Sequence, residues 1–265
     1  MSRPETVRTG PREERTGGRG RIAHQLNVER ILQPDDVTCG PTCLRKVYGF
    51  YGDPVPFDDV IGALERNEDG GTLAVFLGIA ALKRGYGARI YSYDLRIFDP
   101  TWFGLSSSAL VEKIFARFPY LSDEKRLRAA GAYIRFLEMG GTMAFDELTS
   151  TLLKAIIDRG HPVLAGLSAT YLYRFSRERW DETASRHIDD DVRGEPTGHF
   201  VVISGYDQWG RRLTVIDPSE HVPVSRDGRI MVDADRLINA IMLGDVTYDA
   251  VLLEVWPGGS AGAGA

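Results

Sequence analysis

The stretch from Gln33 to Leu44 constrains the fold most, because it predicts a cysteine at the start of a helix. Apolar residues recur at helical spacing from Leu44 to Tyr51. Thr38 is a candidate N-cap, and Gly52 suits the helix end. Unpaired N–H groups and the helix dipole favour an anion at a helix N-terminus, so a thiol placed there ionises more easily. The pattern therefore makes Cys39 a candidate nucleophile, and the case for that role depends on residues near the other end of the chain.

The two cysteines are expected to play different parts. Most cysteines are small buried apolar residues, and we adopt that interpretation for Cys43, which lies on the core side of the predicted helix. Two cysteines four residues apart on one helix do not form a disulfide framework and fit a reducing compartment. The N-terminal region lacks the apolar segment of a signal peptide. We therefore expect a cytoplasmic protein.

Charge and hydropathy exclude several classes of partner. The 265 residues are 43% hydrophobic and 26% charged, which is typical of a soluble globular protein. The net charge is −5, and residues 1–21 hold six Arg and three Glu, so the rest of the chain carries −8. An acidic body argues against nucleic-acid binding. No apolar run is long enough to span a bilayer, so we expect no membrane partner.

The chain divides into a long central part and two polar ends. Residues 1–20 are predicted to be disordered and residues 258–265 to form a flexible tail. Between them we predict one domain, 21–257, with insertions at about 96–145 and 168–197. The second insertion is long and polar, which is typical of a lid or binding loop.

Charged residues in the 168–197 insertion allow two interpretations each. The run Asp189-Asp190-Asp191 suggests a cation site or a solvated acidic turn, and we favour the turn. The arginines could receive an acidic peptide or be neutralised by the aspartates, and we favour neutralisation. These arginines are Arg174, Arg177, Arg179 and Arg186.

A Gly-Gly-Thr sequence occurs twice, at Gly70-Gly71-Thr72 and at Gly140-Gly141-Thr142. Each is followed by apolar residues at helical spacing, the second over Phe145 to Arg159, and then by Arg-Gly and a strand. The pattern is either a weak internal repeat or two uses of one helix-capping solution. We favour the shared capping solution.

His199 and Asp217 flank a predicted hairpin. A strand that is apolar on both faces, and that we therefore expect to be central in a sheet, runs from His199 to Tyr206. A turn lies at 207–210, and a second strand returns from Arg212 to Asp217. The two residues are symmetric about Gln208, so we expect them to lie directly opposite each other, with Cβ atoms about 4.5–5.5 Å apart. Asp217 can then hold one nitrogen of the His199 ring and leave the other free.

These residues together predict a nucleophilic site. Cys39 is the nucleophile, His199 the base and then the acid, and Asp217 the residue that fixes the imidazole tautomer. The Gln33 side-chain amide and the Cys39 backbone N–H would stabilise the oxyanion. Singly, each residue has an ordinary structural explanation, so the prediction depends on their joint order and spacing. No metal or organic cofactor is implied.

The same motifs resemble a known family. Gln33, then Cys39-Gly40-Pro41-Thr42-Cys43-Leu44, then the strand from Gly198 to Ile203, then Asp217-Pro218 resemble the C39 peptidase group. These are papain-like cysteine peptidases, best known for removing leaders from bacteriocin precursors behind a double-glycine site. The resemblance implies an α+β fold with the cysteine helix packed on an antiparallel sheet, and the same four site residues.

The resemblance does not extend to every feature of that group. Thr42 stands where bacteriocin-processing members usually have Ala, and nothing in the chain predicts an attached transporter. We therefore expect a free-standing protein of the longer type, without transferring double-glycine specificity.

Three functions fit these residues. The first is a thiol peptidase or amidohydrolase acting on a peptide or protein. The second is acyl transfer to an amine, by a transpeptidase or ligase-like reaction on the same site. The third is a non-catalytic peptide-binding module, against which the intact Cys, His, Asp and Gln argue. The oligomeric state stays open.

Overall fold

The computed structural model describes residues 22–67, 70–183, 185–220, 222, 228–244 and 250–259. The predicted disordered arm and most of the predicted tail lie outside the described residues. The single-domain boundaries and the two insertions stay predictions.

Eight α-helices are described. They are α1 (Cys39–Phe50), α2 (Phe57–Gly62), α3 (Ala74–Lys83), α4 (Ser107–Arg117), α5 (Glu124–Glu138), α6 (Ser150–Asp158), α7 (Ala169–Tyr173) and α8 (Ala234–Met242). None of the helices within the described ranges has the length and apolar character needed to cross a membrane.

Ten β-strands are described. They are β1 (Ile22–Gln25), β2 (Tyr86–Ser92), β3 (Thr142–Ala144), β4 (Val163–Ser168), β5 (Glu178–Asp181), β6 (Arg186–Asp189), β7 (Gly198–Asp207), β8 (Arg212–Ile216), β9 (Arg229–Asp233) and β10 (Val251–Pro257).

One large sheet organises the fold. Its order is β3-β2-β10-β4-β7-β8-β9, with β1 paired to the end of β7, and neighbours are antiparallel except for β2 and β3. Every residue of β4 is buried, and residues 200–205 of β7 are buried too. Because strands buried on both sides need cover on both sides, helices cover both faces of the sheet centre. The central position predicted for the His199 strand is confirmed, as is the α+β class.

The helix that carries Cys39 lies against this central strand. Helix α1 packs on β7, and α3 packs on β2 and β10. Gly40 allows the close approach, because a Cβ atom there would lie 2.7 Å from Thr72 Cγ2 and 3.3 Å from the Phe200 ring. The predicted packing of the cysteine helix on an antiparallel sheet is therefore confirmed, and it agrees with the papain-like fold that the resemblance implies.

The prediction of one capping solution at both Gly-Gly-Thr sequences is wrong. Thr142 belongs to β3, which pairs with β2, and α6 begins only at Ser150 with Thr149 Oγ1 accepting a hydrogen bond from Leu152 N at 3.1 Å. Thr72 Oγ1 donates to the Glu65 carbonyl at 3.2 Å and does not cap α3. Pairing with β2 therefore outweighs helix propensity after Gly141.

The 168–197 insertion is more regular than the sequence predicts. It contains α7 and an antiparallel hairpin made by β5 and β6. Asp190 holds the hairpin end, because its carboxylate pairs with Arg179 at 2.9 Å and with Arg193 at 2.7 Å. These contacts agree with the acidic turn that we favoured over a cation site.

A buried carboxylate ties β10 to α6 and β2. Glu254 is 2% exposed and accepts hydrogen bonds from Tyr91 at 2.9 Å and from Arg159 at 2.9 Å, and it lies 2.6 Å from His161 Nδ1. Burial raises the pKa of Glu254, but His161, Arg159 and Tyr91 together hold it below its ordinary value. A buried charge with this many partners stabilises the fold only while it stays ionised.

We predict that Glu254→Gln lowers the free energy of unfolding by roughly 2–3 kcal/mol at pH 7. Because the folded-state pKa is depressed, this contribution is present above the ordinary pKa of about 4.5 and is lost as the pH falls. Urea unfolding between pH 3 and pH 7 should therefore show the two proteins converging in acid. Glu138→Gln, on the exposed end of α5, is the control. A loss of unfolding free energy no larger than that of Glu138→Gln, or one that did not change with pH, would contradict the stabilising role assigned to the Glu254 carboxylate.

Candidate active site

Cys39 lies at the first residue of α1, as the sequence predicts. The side chain is partly exposed. Thr38 occupies the N-cap position, but its hydroxyl donates to the Asp35 carbonyl at 3.2 Å and does not cap the helix. No side chain therefore caps this helix end within the described residues, and its first N–H groups are left to face an anion.

His199 and Asp217 form a buried pair at one end of the sheet. His199 Nε2 lies 2.9 Å from Asp217 Oδ1, and the two side chains are 11% and 0% exposed. Asp217 Oδ1 also accepts a hydrogen bond from Ser219 N at 2.7 Å, and Tyr173 Oη donates to the other oxygen. The carboxylate is thus held by three groups from three parts of the chain.

The predicted register of this pair is wrong by two residues. The observed partners are Val202 with Ile216 and Ile203 with Val215, with a bulge before Gly205. His199 is therefore not directly opposite Asp217. A shift of two residues preserves the face on which a side chain lies, so Asp217 still reaches the imidazole from the diagonal position.

The Cys39 thiol lies close enough to the His199 imidazole to influence its pKa. Because Nε2 is engaged by Asp217, Nδ1 is the nitrogen left for the thiol. Burial alone would lower the pKa of His199, but the charge of Asp217, its hydrogen bond and the Cys39 thiol raise the pKa to about 10. Burial raises the pKa of Asp217, but the charge and hydrogen bond of His199 lower it. The net effect is a pKa below the ordinary value of an aspartate. The pair therefore favours an imidazolium beside a carboxylate.

Gln33 lies beside the turn that follows Asp217. Its backbone N–H donates to the Pro218 carbonyl at 2.9 Å, and its side-chain Nε2 donates to the Asp35 carbonyl at 2.7 Å. The amide has a second N–H, and its buried Oε1 has no hydrogen-bond partner among the described residues. Gln33 is thus close to the site, and its part in an oxyanion hole stays a prediction.

Two further side chains surround Asp217 and were missed by sequence reasoning. Tyr173, from α7, donates to the carboxylate, and nothing in its local sequence indicates this. Lys46 is 1% exposed, and its ammonium has no hydrogen-bond partner within the described part of the chain. Burial lowers the pKa of Lys46, and the charge of Asp217 only partly opposes this decrease. Its position three residues after Cys43 on one helix face was the available signal.

The remaining described histidines have other surroundings. His24 lies 3.1 Å from Asp158, His161 pairs with Glu254, and the His187 ring packs edge-on against Trp180. His221 lies outside the described residues.

Cys43 has the buried setting that the sequence predicts. The residue is 0% exposed, and its thiol donates to the Phe200 carbonyl at 3.3 Å. Burial raises the pKa of this thiol. The two cysteines therefore differ in access and in charge environment.

We predict that N-ethylmaleimide adds once to the native protein, at Cys39, and twice after unfolding in urea. Cys43→Ala should keep the single native addition and lower the free energy of unfolding by about 1–2 kcal/mol. Intact-mass spectrometry with peptide mapping counts and locates the adducts. Native labelling of Cys43 as fast as that of Cys39 would contradict the assignment.

Comparisons with solved structures find 12 matching chains, and three of them are each 14% identical to this one. The first is a double glycine motif protease from an AMS/PCAT transporter in complex with the leader peptide, with a TM-score of 0.41 and coverage of 90% of this chain and 97% of that chain. The second is a C39-like peptidase from Bacillus anthracis, with a TM-score of 0.39 and coverage of 90% of this chain and 98% of that chain. The third is the peptidase domain of Streptococcus ComA, a bi-functional ABC transporter involved in a quorum sensing pathway, with a TM-score of 0.39 and coverage of 87% of this chain and 99% of that chain. At these TM-scores the likenesses support no functional argument.

A family comparison is more informative. Comparison with curated proteins finds no match. Residues 124–227 match the model of the Peptidase_C39 like family, a range that contains His199 and Asp217 but not Gln33 or Cys39. Over this range the chain is similar to the Peptidase_C39 like family, and this similarity supports a peptidase-type function.

Proposed function

We propose that this protein is a cysteine peptidase or amidohydrolase that cleaves a peptide bond through a thioester on Cys39. The observation that carries the proposal is the buried His199–Asp217 pair, with the Cys39 thiol at the N-terminus of α1 close enough to influence the pKa of His199. A nucleophile, a base and a group that orients the base are the three parts that acyl transfer requires. We further propose a peptide or protein substrate and a cytoplasmic location.

The first half-reaction uses the ion pair. The Cys39 thiolate attacks the carbonyl carbon, and the carbonyl electrons move to oxygen. When the tetrahedral intermediate collapses, the C–N bond breaks and the His199 imidazolium gives its proton to the leaving amine. The raised pKa of His199 favours the protonated ring that this step needs. Asp217 stays ionised and holds that ring in place.

The second half-reaction releases the acyl group. His199, now neutral, takes a proton from water as the water oxygen attacks the thioester. The C–S bond then breaks, and the acid product leaves with Cys39 returned to the thiolate. In both steps the oxyanion would accept hydrogen bonds from the Cys39 backbone N–H and the second N–H of Gln33. Each such donor is typically worth ~3 kcal/mol in the transition state.

Tyr173 and Lys46 would act through Asp217 and not on the substrate. The Tyr173 hydroxyl donates to the carboxylate, and the Lys46 side chain lies close enough for Asp217 to affect its pKa. We propose that Tyr173 is a positioning residue that fixes the Asp217 rotamer.

We predict that Cys39→Ser abolishes turnover and that Asp217→Asn lowers kcat/KM by roughly 10²- to 10⁴-fold. Tyr173→Phe should lower kcat/KM by a smaller factor, because Ser219 N and His199 still hold the Asp217 carboxylate. The substrate for this test is a proteome-derived peptide library, with cleavage sites read by mass spectrometry. Thermal melting of each variant separates lost chemistry from lost folding.

Hydroxylamine in the same assay tests for the thioester. Hydroxylamine should attack the thioester and divert part of the acyl group to a hydroxamate, and the Cys39→Ser protein should form no hydroxamate. Transfer to added amines in preference to water would identify the ligase-like reaction instead of hydrolysis. Cleavage that survived Cys39→Ser, or the absence of cleavage in a folded wild-type protein that binds peptides, would contradict the proposal.

A further inference from the structure

A cavity of about 670 Å³ lies between α7 and α8. Tyr171, Pro196 and Leu243 form apolar parts of its wall, and Arg174, Arg236 and Asn239 supply polar groups. This volume is in the range of sites that take a small ligand or a few side chains of a peptide. The cavity is separate from the Cys39, His199 and Asp217 side chains.

The two arginines of this cavity lack anionic partners among the residues that the structure describes. Among the described residues, neither the Arg174 nor the Arg236 guanidinium makes a hydrogen bond or ion pair, and the described lining contains no carboxylate.

Nearby arginines of the same insertion do have partners. Arg179 pairs with Asp190 and Asp181, and Arg177 donates to the Asp191 carbonyl. The neutralisation that we favoured from the sequence therefore applies to Arg179 and, within the described part of the chain, does not apply to Arg174.

Arg174 is also held in an unusual backbone conformation. It is the C-cap of α7 with φ 56° and ψ 44°, the left-handed region that glycine adopts without strain. For an L-residue with a Cβ this region costs on the order of 1–2 kcal/mol. Such outliers are concentrated at binding and catalytic sites, where the surrounding structure holds them in place.

Two links connect the elements that line the cavity to the candidate active site. Ser168, which contributes to the lining, pairs across β4 and β7 with Gly198, the residue before His199. Tyr173, from the same short helix as Tyr171, donates to Asp217. A peptide bound at Cys39 and extended toward α7 could therefore place a side chain in this cavity.

We propose that this cavity is a specificity subsite that binds the carboxylate of an Asp or Glu side chain in the substrate. This inference rests on the proposed function, because it takes the substrate to be a peptide held at Cys39. Two guanidinium groups match a carboxylate in charge and in planar hydrogen-bonding geometry. The Asn239 amide offers a further donor, and the apolar walls fit the methylene groups of an acidic side chain.

The inference is tested with trans-epoxysuccinyl peptides, which alkylate a thiol and can carry residues on either side of the reactive group. Each reagent holds Glu, Gln or Lys at one position in turn. We expect that, at one position, Glu gives a second-order rate constant for Cys39 modification at least ~10-fold above that for Gln, with Lys slowest.

Charge-changing variants assign the preference to the cavity. Arg174→Gln with Arg236→Gln should abolish the Glu preference, and Arg174→Glu with Arg236→Glu should reverse it toward Lys. Arg186→Gln, an exposed arginine of the same insertion that does not line the cavity, is the matched control and should keep the wild-type preference. A reversal of preference cannot arise from partial unfolding.

Iodoacetamide, which is small and uncharged, separates the two possible failures. Equal rates for Glu and Gln at every position, with fast iodoacetamide labelling of Cys39, would overturn this inference alone. A Glu preference that persisted in the Arg174→Gln, Arg236→Gln protein would do the same. Slow labelling of Cys39 by every reagent, iodoacetamide included, would overturn the proposed function and the subsite with it.

Discussion

The buried pair of His199 and Asp217 is the interaction on which the site depends. Placing two charges away from water is unfavourable unless each finds close partners. Asp217 has them in the His199 ring, the Ser219 N–H and the Tyr173 hydroxyl. These groups come from β7, the turn after β8, and α7. The pair therefore requires the central sheet, the hairpin and the insertion to be in place together, and it links folding of the sheet to formation of the site.

The sequence predicts the parts of this site that are set by local patterns. Helical spacing after Cys43 places Cys39 at a helix start, and an uninterrupted apolar run predicts that the strand beginning at His199 is central. The register of the hairpin was predicted from symmetry about Gln208 and is wrong by two residues at His199. The observed turn is centred between Trp209 and Gly210, and the bulge before Gly205 removes only one residue of the resulting offset. The two-residue period of a strand keeps Asp217 on the required face even so.

The parts that the sequence does not predict depend on contacts between distant segments. Thr142 pairs in β3 because β2 offers an open edge, whereas its local pattern favours a helix. The position of α7 brings Tyr173 to Asp217. The positions of α7 and the β5–β6 hairpin also decide that Arg179 pairs with Asp190 while Arg174 lines the cavity. Polar residues in an insertion carry no period that would indicate such positions.

The central claim is that His199 activates Cys39, and the rate of Cys39 alkylation by iodoacetamide across pH tests it most directly. An isolated thiol has a pKa of ~8.5 and reacts slowly below neutral pH. In the wild-type protein we predict fast alkylation of Cys39 down to about pH 6, because an imidazolium beside the sulfur stabilises the thiolate. In His199→Ala the rate should fall and follow the profile of an ordinary thiol. Slow alkylation with the same ordinary profile in both proteins would contradict the account.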